Sequence, residues 1–155
     1  QRLKQLNPGI QIMLTVSQVR HLKETLELNS VSKSILRVAC HLLKEQYRDV
    51  HYFPAYEILM DDLRDYRFYK ADMIHPSDIA EEYVWEKFVD QYFDDKLKNF
   101  LQRWKAVQAS LNHKPFHPSS SPHQQFIRAT ITELEELNTI VNVEEEIAML
   151  RKQLS

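Results

Sequence analysis

From Ile10 to Val16 the chain reads Ile10-Gln11-Ile12-Met13-Leu14-Thr15-Val16, short and nearly continuously apolar. Such a run predicts a strand buried on both faces, as in a parallel sheet. Leu6-Asn7-Pro8-Gly9 ahead of it is a turn, because Pro-Gly suits the middle of a type II turn. Ser17-Gln18-Val19-Arg20-His21 behind it sets polar groups at the strand's C-terminal end, where open α/β sheets bind ligands. The period then changes. Val31, Ile35, Val38, Ala39, Leu42 and Leu43 recur at helical spacing, with Asn29 or Ser30 as cap and Leu28 as a staple. This helix runs to about Arg48, with Lys44 and Arg48 near the negative end of its dipole. Val50-His51-Tyr52-Phe53 is a second strand, β-branched and aromatic, stopped by Pro54. Strand, helix and strand in this order predict two adjacent parallel strands joined by a right-handed crossover.

Ala55 to about Leu63 is a short helix with Tyr56, Ile58, Leu59 and Leu63 inward, and Arg64 to Ala71 is a polar, aromatic connection. After Ser77, apolar Ile79, Tyr83, Val84, Phe88, Val89, Tyr92 and Phe93 share one side of a helix. The pattern carries it on through Phe100, Leu101, Trp104 and Val107 to about Leu111. Residues 113–123 form a Pro/Ser-rich loop, and helix resumes at about His123 with Phe126, Ile127, Ile131, Leu134 and Leu137 inward. Asn142 with Glu145 three residues on has the form of a capping box, so a break near Asn138–Asn142 and a last helix to Leu154 are expected. The expected layout is an α/β part over residues 1–95 and a helical extension over 96–155, with helices at about 123–138 and 143–154. Two strands make only part of a doubly wound parallel sheet. An exposed edge is therefore expected, to be covered by another chain or by the C-terminal helices.

Composition narrows the function classes. A net charge of −2 and a pI near 6.4, without basic runs, give no nucleic-acid footprint. No apolar run approaches the ~18–20 residues that a membrane span needs, and Gln1-Arg2-Leu3-Lys4-Gln5 lacks the apolar core of a signal peptide. A cytoplasmic location is expected. The lone Cys40 has no internal disulfide partner and falls on the apolar helix face, where a packed thiol is expected. The single glycine, Gly9, excludes a Gly-rich phosphate loop and a glycine-flanked nucleophile elbow within these residues. No cofactor is called for.

The stretch Asp72-Met73-Ile74-His75-Pro76-Ser77 carries the candidate chemistry. An acid and a histidine three apart, just before Pro76 and a helix, can meet in one corner. The carboxylate then holds one imidazole nitrogen and leaves the other to act as a base. That is the base and acid of a nucleophile–base–acid triad. The same six residues also make an ordinary helix start, with Ser77 or Asp78 as N-cap and Pro76 leading in. The sequence leaves both readings open.

Taken together, Thr15-Val16-Ser17-Gln18-Val19-Arg20-His21, Ser32-Lys33, Tyr52-Phe53-Pro54-Ala55-Tyr56-Glu57, Asp65-Tyr66-Arg67-Phe68-Tyr69 and Asp72-Met73-Ile74-His75-Pro76-Ser77 resemble, in order and spacing, the C-terminal part of a GSCFA-domain protein. That bacterial family is related to the SGNH/GDSL hydrolases, and the likeness covers about residues 10 to 95. The resemblance implies a flavodoxin- or SGNH-like α/β fold. It implies that Asp72 and His75 are the acid and base of a triad whose serine belongs to a Gly-Ser-Cys-Phe-Ala segment. No such segment stands in these residues, and the chain, which starts at Gln1, is expected to begin mid-protein. Ser17, Arg20 and His21 would line the ligand end of the sheet. Gln18 departs from a proline common in that motif, and the SGNH Gly and Asn oxyanion donors have no counterpart here.

The implied activity is that of an esterase or O-acyltransferase on a small acyl ester or glycan, with this stretch inert by itself. Other readings compete. Ser17 is itself a chemically able nucleophile, but no glycine flanks it to permit a tight elbow. His113, His117 and His123 are a loose metal set, though zinc sites use tighter spacings and cysteines; no metal is expected. A non-catalytic helical interaction module is the last, and an apolar stripe on 123–154 left exposed would favour it. The stripe and the sheet edge are also where a homo-oligomer would form.

Overall fold

In the computed structural model, residues 2–21, 23 and 25–154 are described, and they divide between two compact units, Gln1–Tyr92 and Phe93–Ser155. The first unit is mixed α/β. A short helix, α1 (Arg2–Leu6), leads into strand β1 (Ile12–Leu14), then helix α2 (Leu26–Gln46) and strand β2 (Val50–Tyr52). The two strands pair in parallel, Ile12 with Val50, Met13 with His51 and Leu14 with Tyr52. The expected parallel crossover is present, and among the described residues the sheet stops at these two strands. Each strand therefore keeps one unpaired edge.

Two local expectations are corrected. The cap of α2 is Thr25, whose Oγ1 accepts from Leu28 N at 3.3 Å, not Asn29 or Ser30, and the helix ends at Gln46. Strand β1 is three residues long and half-buried to exposed, with Met13 37% exposed, so it is not buried on both faces. A strand's faces are covered by the elements packed on them, and β1 has too little such cover among the described residues. The same shortage bares the apolar positions of α2: Leu28, Val31, Ile35, Val38, Leu42 and Leu43 are all exposed, while Lys33 is its buried residue. Cys40 is free and half-buried.

The crossover is tied to the second strand by polar groups. Tyr52 donates its hydroxyl to both Glu57 oxygens, at 2.9 and 2.8 Å, and Arg37 Nε donates to Glu57 Oε1 at 2.7 Å. The Arg37 guanidinium also lies over the Tyr52 ring, 4.2 Å from its centroid. Burial, and then the bond to Glu57, push the Tyr52 phenol above its ordinary pKa. Downstream, α3 (Ala55–Glu57) runs into a single π turn over Ile58–Leu63, closed by Arg64 N–H donating to Leu59 O at 3.1 Å. That turn buries Leu59 and Leu63 against Ala80, with Phe68, Tyr69 and Tyr83 packed around them. A 3-10 turn, Tyr66–Phe68, and the corner before helix α4 (Asp78–Tyr92) complete the unit.

The long helix read from Ser77 to Leu111 is instead two. α4 ends at Tyr92, and α5 (Asp95–Leu111) starts afresh behind Asp94, whose side chain accepts from Leu97 N at 2.8 Å. A side-chain cap takes up an N–H that the start of a helix leaves unpaired. Helices α6 (Ser121–Leu137) and α7 (Glu144–Arg151) follow, separated by the expected break. The last helix stops short of Leu154, and its N-cap is Val143; among the described residues Asn142 accepts from Glu144 N, 3.1 Å away, and not from Glu145 N, so the capping box does not form. Val107, Ile127, Ile131, Leu134, Leu137, Val143, Ile147 and Leu150 make one buried cluster in this second unit. The stripe on 123–154 is thus consumed inside its own core. Arg103 bridges Glu133 and Glu136 on α6, at 2.5 Å to each.

Candidate active site

The corner is built by its own short side chains. Tyr69 and Pro76 form an isolated antiparallel bridge, Lys70 N–H donates to His75 O at 2.8 Å, and Ser77 N–H donates to Phe68 O at 2.8 Å. Inside this closed loop Met73 has φ 59°, the left-handed region that favours glycine. The loop turns there because Asp72 offers the backbone an acceptor. Asp72 Oδ1 accepts from Ile74 N at 2.9 Å and from His75 N at 3.1 Å. The other oxygen, Oδ2, lies 2.7 Å from His75 Nδ1. The bonds from Ile74 N–H, from the ring and from His75 N–H pull the Asp72 carboxyl down to a pKa of about 2. An ionised Asp72 accepts from the ring, so Nδ1 carries the hydrogen and Nε2 is left as the basic nitrogen. Both side chains are partly open to water, His75 at 52% and Asp72 at 43%. The helix-start reading is met as well, since Ala80 N–H donates to Ser77 Oγ at 3.4 Å.

The loop behind β1 reaches this corner through Arg20. Its backbone N–H donates to Ile74 O at 3.1 Å, and Nη1 donates to Met73 O at 3.2 Å. The guanidinium lies 4.4 Å from the Tyr69 ring centroid and 5.7 Å from that of Tyr66. Arg20 is therefore brought to the corner that holds Asp72 and His75. Ser17 and His21 are not: Val19 N–H donates to Ser17 Oγ at 3.2 Å, and His21 N–H donates to Asn29 Oδ1 at 2.8 Å. Among the described residues neither is hydrogen-bonded to Asp72 or His75.

Lys33 is the residue that the hydrophobic pattern hides. It sits on α2 yet is only 8% exposed, and its Nζ donates to Ser17 O at 2.5 Å and to Val19 O at 2.9 Å. Burial lowers its pKa. A lysine in an amphipathic helix ordinarily lies on the solvated face; here its ammonium closes the loop that carries Arg20. Gln18, where the sequence departs from the resembled motif, donates Nε2 to Ala55 O at 2.7 Å and so ties the same loop to the start of α3.

Among the described residues no three His, Cys, Asp or Glu side chains stand together as a metal site. His113 and His123 instead pack as aromatic rings, 5.5 and 6.1 Å from Phe126. No helix among the described residues is long and apolar enough to cross a membrane.

Comparison with protein families matches residues 1–88 to the GSCFA family and residues 104–155 to the C-terminal domain of GSCFA domain proteins. No curated protein and no solved structure matches the chain. The chain belongs to the GSCFA family.

Proposed function

We propose that this chain carries the acid and base of an SGNH-like serine esterase or O-acyltransferase acting on acyl esters, with carbohydrate esters as the favoured class. The observation that carries the reading is the 2.7 Å contact between Asp72 Oδ2 and His75 Nδ1, with Asp72 fastened to the backbone by its other oxygen. The nucleophile is a serine of the Gly-Ser-Cys-Phe-Ala kind, together with its oxyanion donors, supplied from outside residues 1–155. The bare edges of β1 and β2 and the uncovered apolar face of α2 support this, because they are where further strands and helices of an SGNH-like sheet would add. The packed core of α5, α6 and α7 weighs against a free helical docking stripe on 123–154.

The chemistry follows from the corner. His75 Nε2 takes the serine hydroxyl proton as the oxygen bonds to the ester carbonyl carbon. The tetrahedral adduct collapses, the C–O bond to the alcohol breaks, and the imidazolium returns the proton to the departing oxygen. Asp72 stays ionised throughout and stabilises the charged ring. Water then releases the acyl group as an acid, or a sugar hydroxyl accepts it, with His75 removing the proton in either case.

The test uses the protein together with its Gly-Ser-Cys-Phe-Ala segment and a nitrophenyl acetate assay. His75→Ala should lower turnover by at least the ~10²–10⁴-fold that general acid–base catalysis contributes. Asp72→Asn should cost heavily too, because an amide stabilises the wrong imidazole tautomer. Ser17→Ala should do less than either. Residues 1–155 alone should not exceed a histidine-containing control. Turnover by those residues that Ser17→Ala abolishes would make Ser17 the nucleophile and defeat the reading.

A further inference from the structure

Arg20 opens on a hollow of about 190 Å³, lined also by Leu59, Met60, Arg64, Asp65, Tyr66 and Tyr69. Pockets that bury whole drug-sized ligands run to about 300–1,000 Å³, so this one suits a single substituent or one small ring. Its lining is chemically divided. Leu59 and Met60 give an apolar wall, Tyr66 and Tyr69 give two aromatic faces, and the guanidinium of Arg20 stands against those faces. Stacking occupies the flat face of a guanidinium and leaves its edge, where the N–H groups point, for a planar acceptor.

The other charges in and around the hollow already have partners. Arg64 Nη2 pairs with Asp61 at 3.2 Å, and Asp65 Oδ1 accepts from Arg67 N at 2.9 Å. Arg20 has no carboxylate partner among the described residues; its Nη1 is spent on the neutral carbonyl of Met73. A half-buried arginine fastened to a peptide carbonyl and lining a cavity is suited to an incoming anion. A fork of parallel N–H groups matches a carboxylate better than it matches a neutral hydroxyl.

We propose that this hollow is a substrate subsite for a carboxylate, so that the acyl ester is one borne on an acidic sugar or another carboxylate-bearing alcohol. The proposal rests on the hydrolase reading for its purpose, because Arg20 is bonded to the two residues between Asp72 and His75. It needs no turnover to be tested.

Calorimetric titration with glucuronate, glucose and glucose 6-phosphate separates the alternatives. Glucuronate should bind at least tenfold more tightly than glucose. Arg20→Lys keeps a charge and loses the planar fork, so it should weaken glucuronate binding several-fold; Arg20→Met should remove the preference for glucuronate over glucose. Thermal melts of both variants report folding, and the Lys variant decides the matter if the Met variant unfolds. Equal binding of glucuronate and glucose, or an unchanged preference in Arg20→Lys, overturns the proposal. Tighter binding of glucose 6-phosphate than of glucuronate overturns the choice of carboxylate. In the protein that carries the Gly-Ser-Cys-Phe-Ala segment, glucuronate binding without ester turnover sinks the hydrolase and leaves the subsite, whereas turnover without glucuronate binding does the reverse.

Discussion

The backbone N–H of Arg20 donates to the carbonyl of Ile74 at 3.1 Å, so the loop after the first strand and the corner that holds Asp72 and His75 are joined as one piece. Lys33 holds that loop from the other side through the carbonyls of Ser17 and Val19. The line Lys33, Arg20, Ile74, His75 connects the crossover helix to the candidate base.

Lys33→Met should destabilise the protein by about 1–3 kcal/mol, the usual cost of leaving buried polar groups unpaired. The two carbonyls freed are those of Ser17 and Val19. Denaturant unfolding measures the loss, and the amide resonances of Arg20 and His75 should shift with it. A variant as stable as the parent, with those resonances unmoved, would remove Lys33 from the line.

Acid should test Asp72 directly. Its folded pKa is lowered to about 2, while an unfolded aspartate titrates near ~3.9. The unfolded chain therefore binds the proton first as pH falls, and stability falls with it. The contribution is full above about pH 4 and lost on the way down to about pH 2. The side-chain carbon of Asp72, followed by NMR, should titrate with a midpoint near 2, and Asp72→Asn should remove that part of the acid limb. A midpoint near 4 would mean that the three bonds on the carboxylate do not hold in solution.

Met73 sits at φ 59° without being glycine. The left-handed conformation costs an L-residue about 1–2 kcal/mol, and a β-branched side chain tolerates it worst. Met73→Val should therefore lower the melting temperature, whereas Met73→Gly should leave it within a few degrees, strain relief being set against a freer unfolded chain. Equal effects of the two would show that the backbone is not held there.

Leu134 has no exposed surface and lies in the cluster made by α5, α6 and α7. Leu134→Ala should cost about 2–5 kcal/mol, the range for emptying a buried leucine site. Chemical denaturation followed by circular dichroism would show it. A change under 1 kcal/mol would imply that these helices pack loosely.

The parallel pairing of the strands was legible because Ile10–Val16 and Val50–Phe53 are short apolar runs on either side of a helix, and few topologies suit that order. The contact of Asp72 with His75 was legible from three-residue spacing ahead of Pro76. The break at Asp94 was hidden because Phe93, Leu97 and Phe100 continue the helical period across it, and only Asp94 as a capping residue signals the stop. The start of α2 was displaced for a related reason: Thr25, Asn29 and Ser30 are all able caps, and local sequence does not rank them. Lys33 was illegible as a buried group, because periodicity assigns a lysine to the solvated face and the loop that needs its ammonium is remote in sequence. Tyr66 and Tyr69 were seen as an aromatic connection and as part of a motif that carries the resemblance, but nothing in their spacing announces the arginine that lies over their rings.

The hydrogen bonds that set Asp72 against His75 span only two or three residues, and the bridge that closes the loop joins Tyr69 to Pro76. The sheet, by contrast, must bring Ile12 to Val50 across the whole of α2. Closing a loop of ten residues takes about 10–100 ns and forming a hairpin about 1–10 μs, while longer separations demand more chain entropy. Asp72 and His75 should thus meet early during folding, ahead of the pairing of β1 with β2. A transient opening that parts β1 from β2 need not part Asp72 from His75. The pair has its own clock.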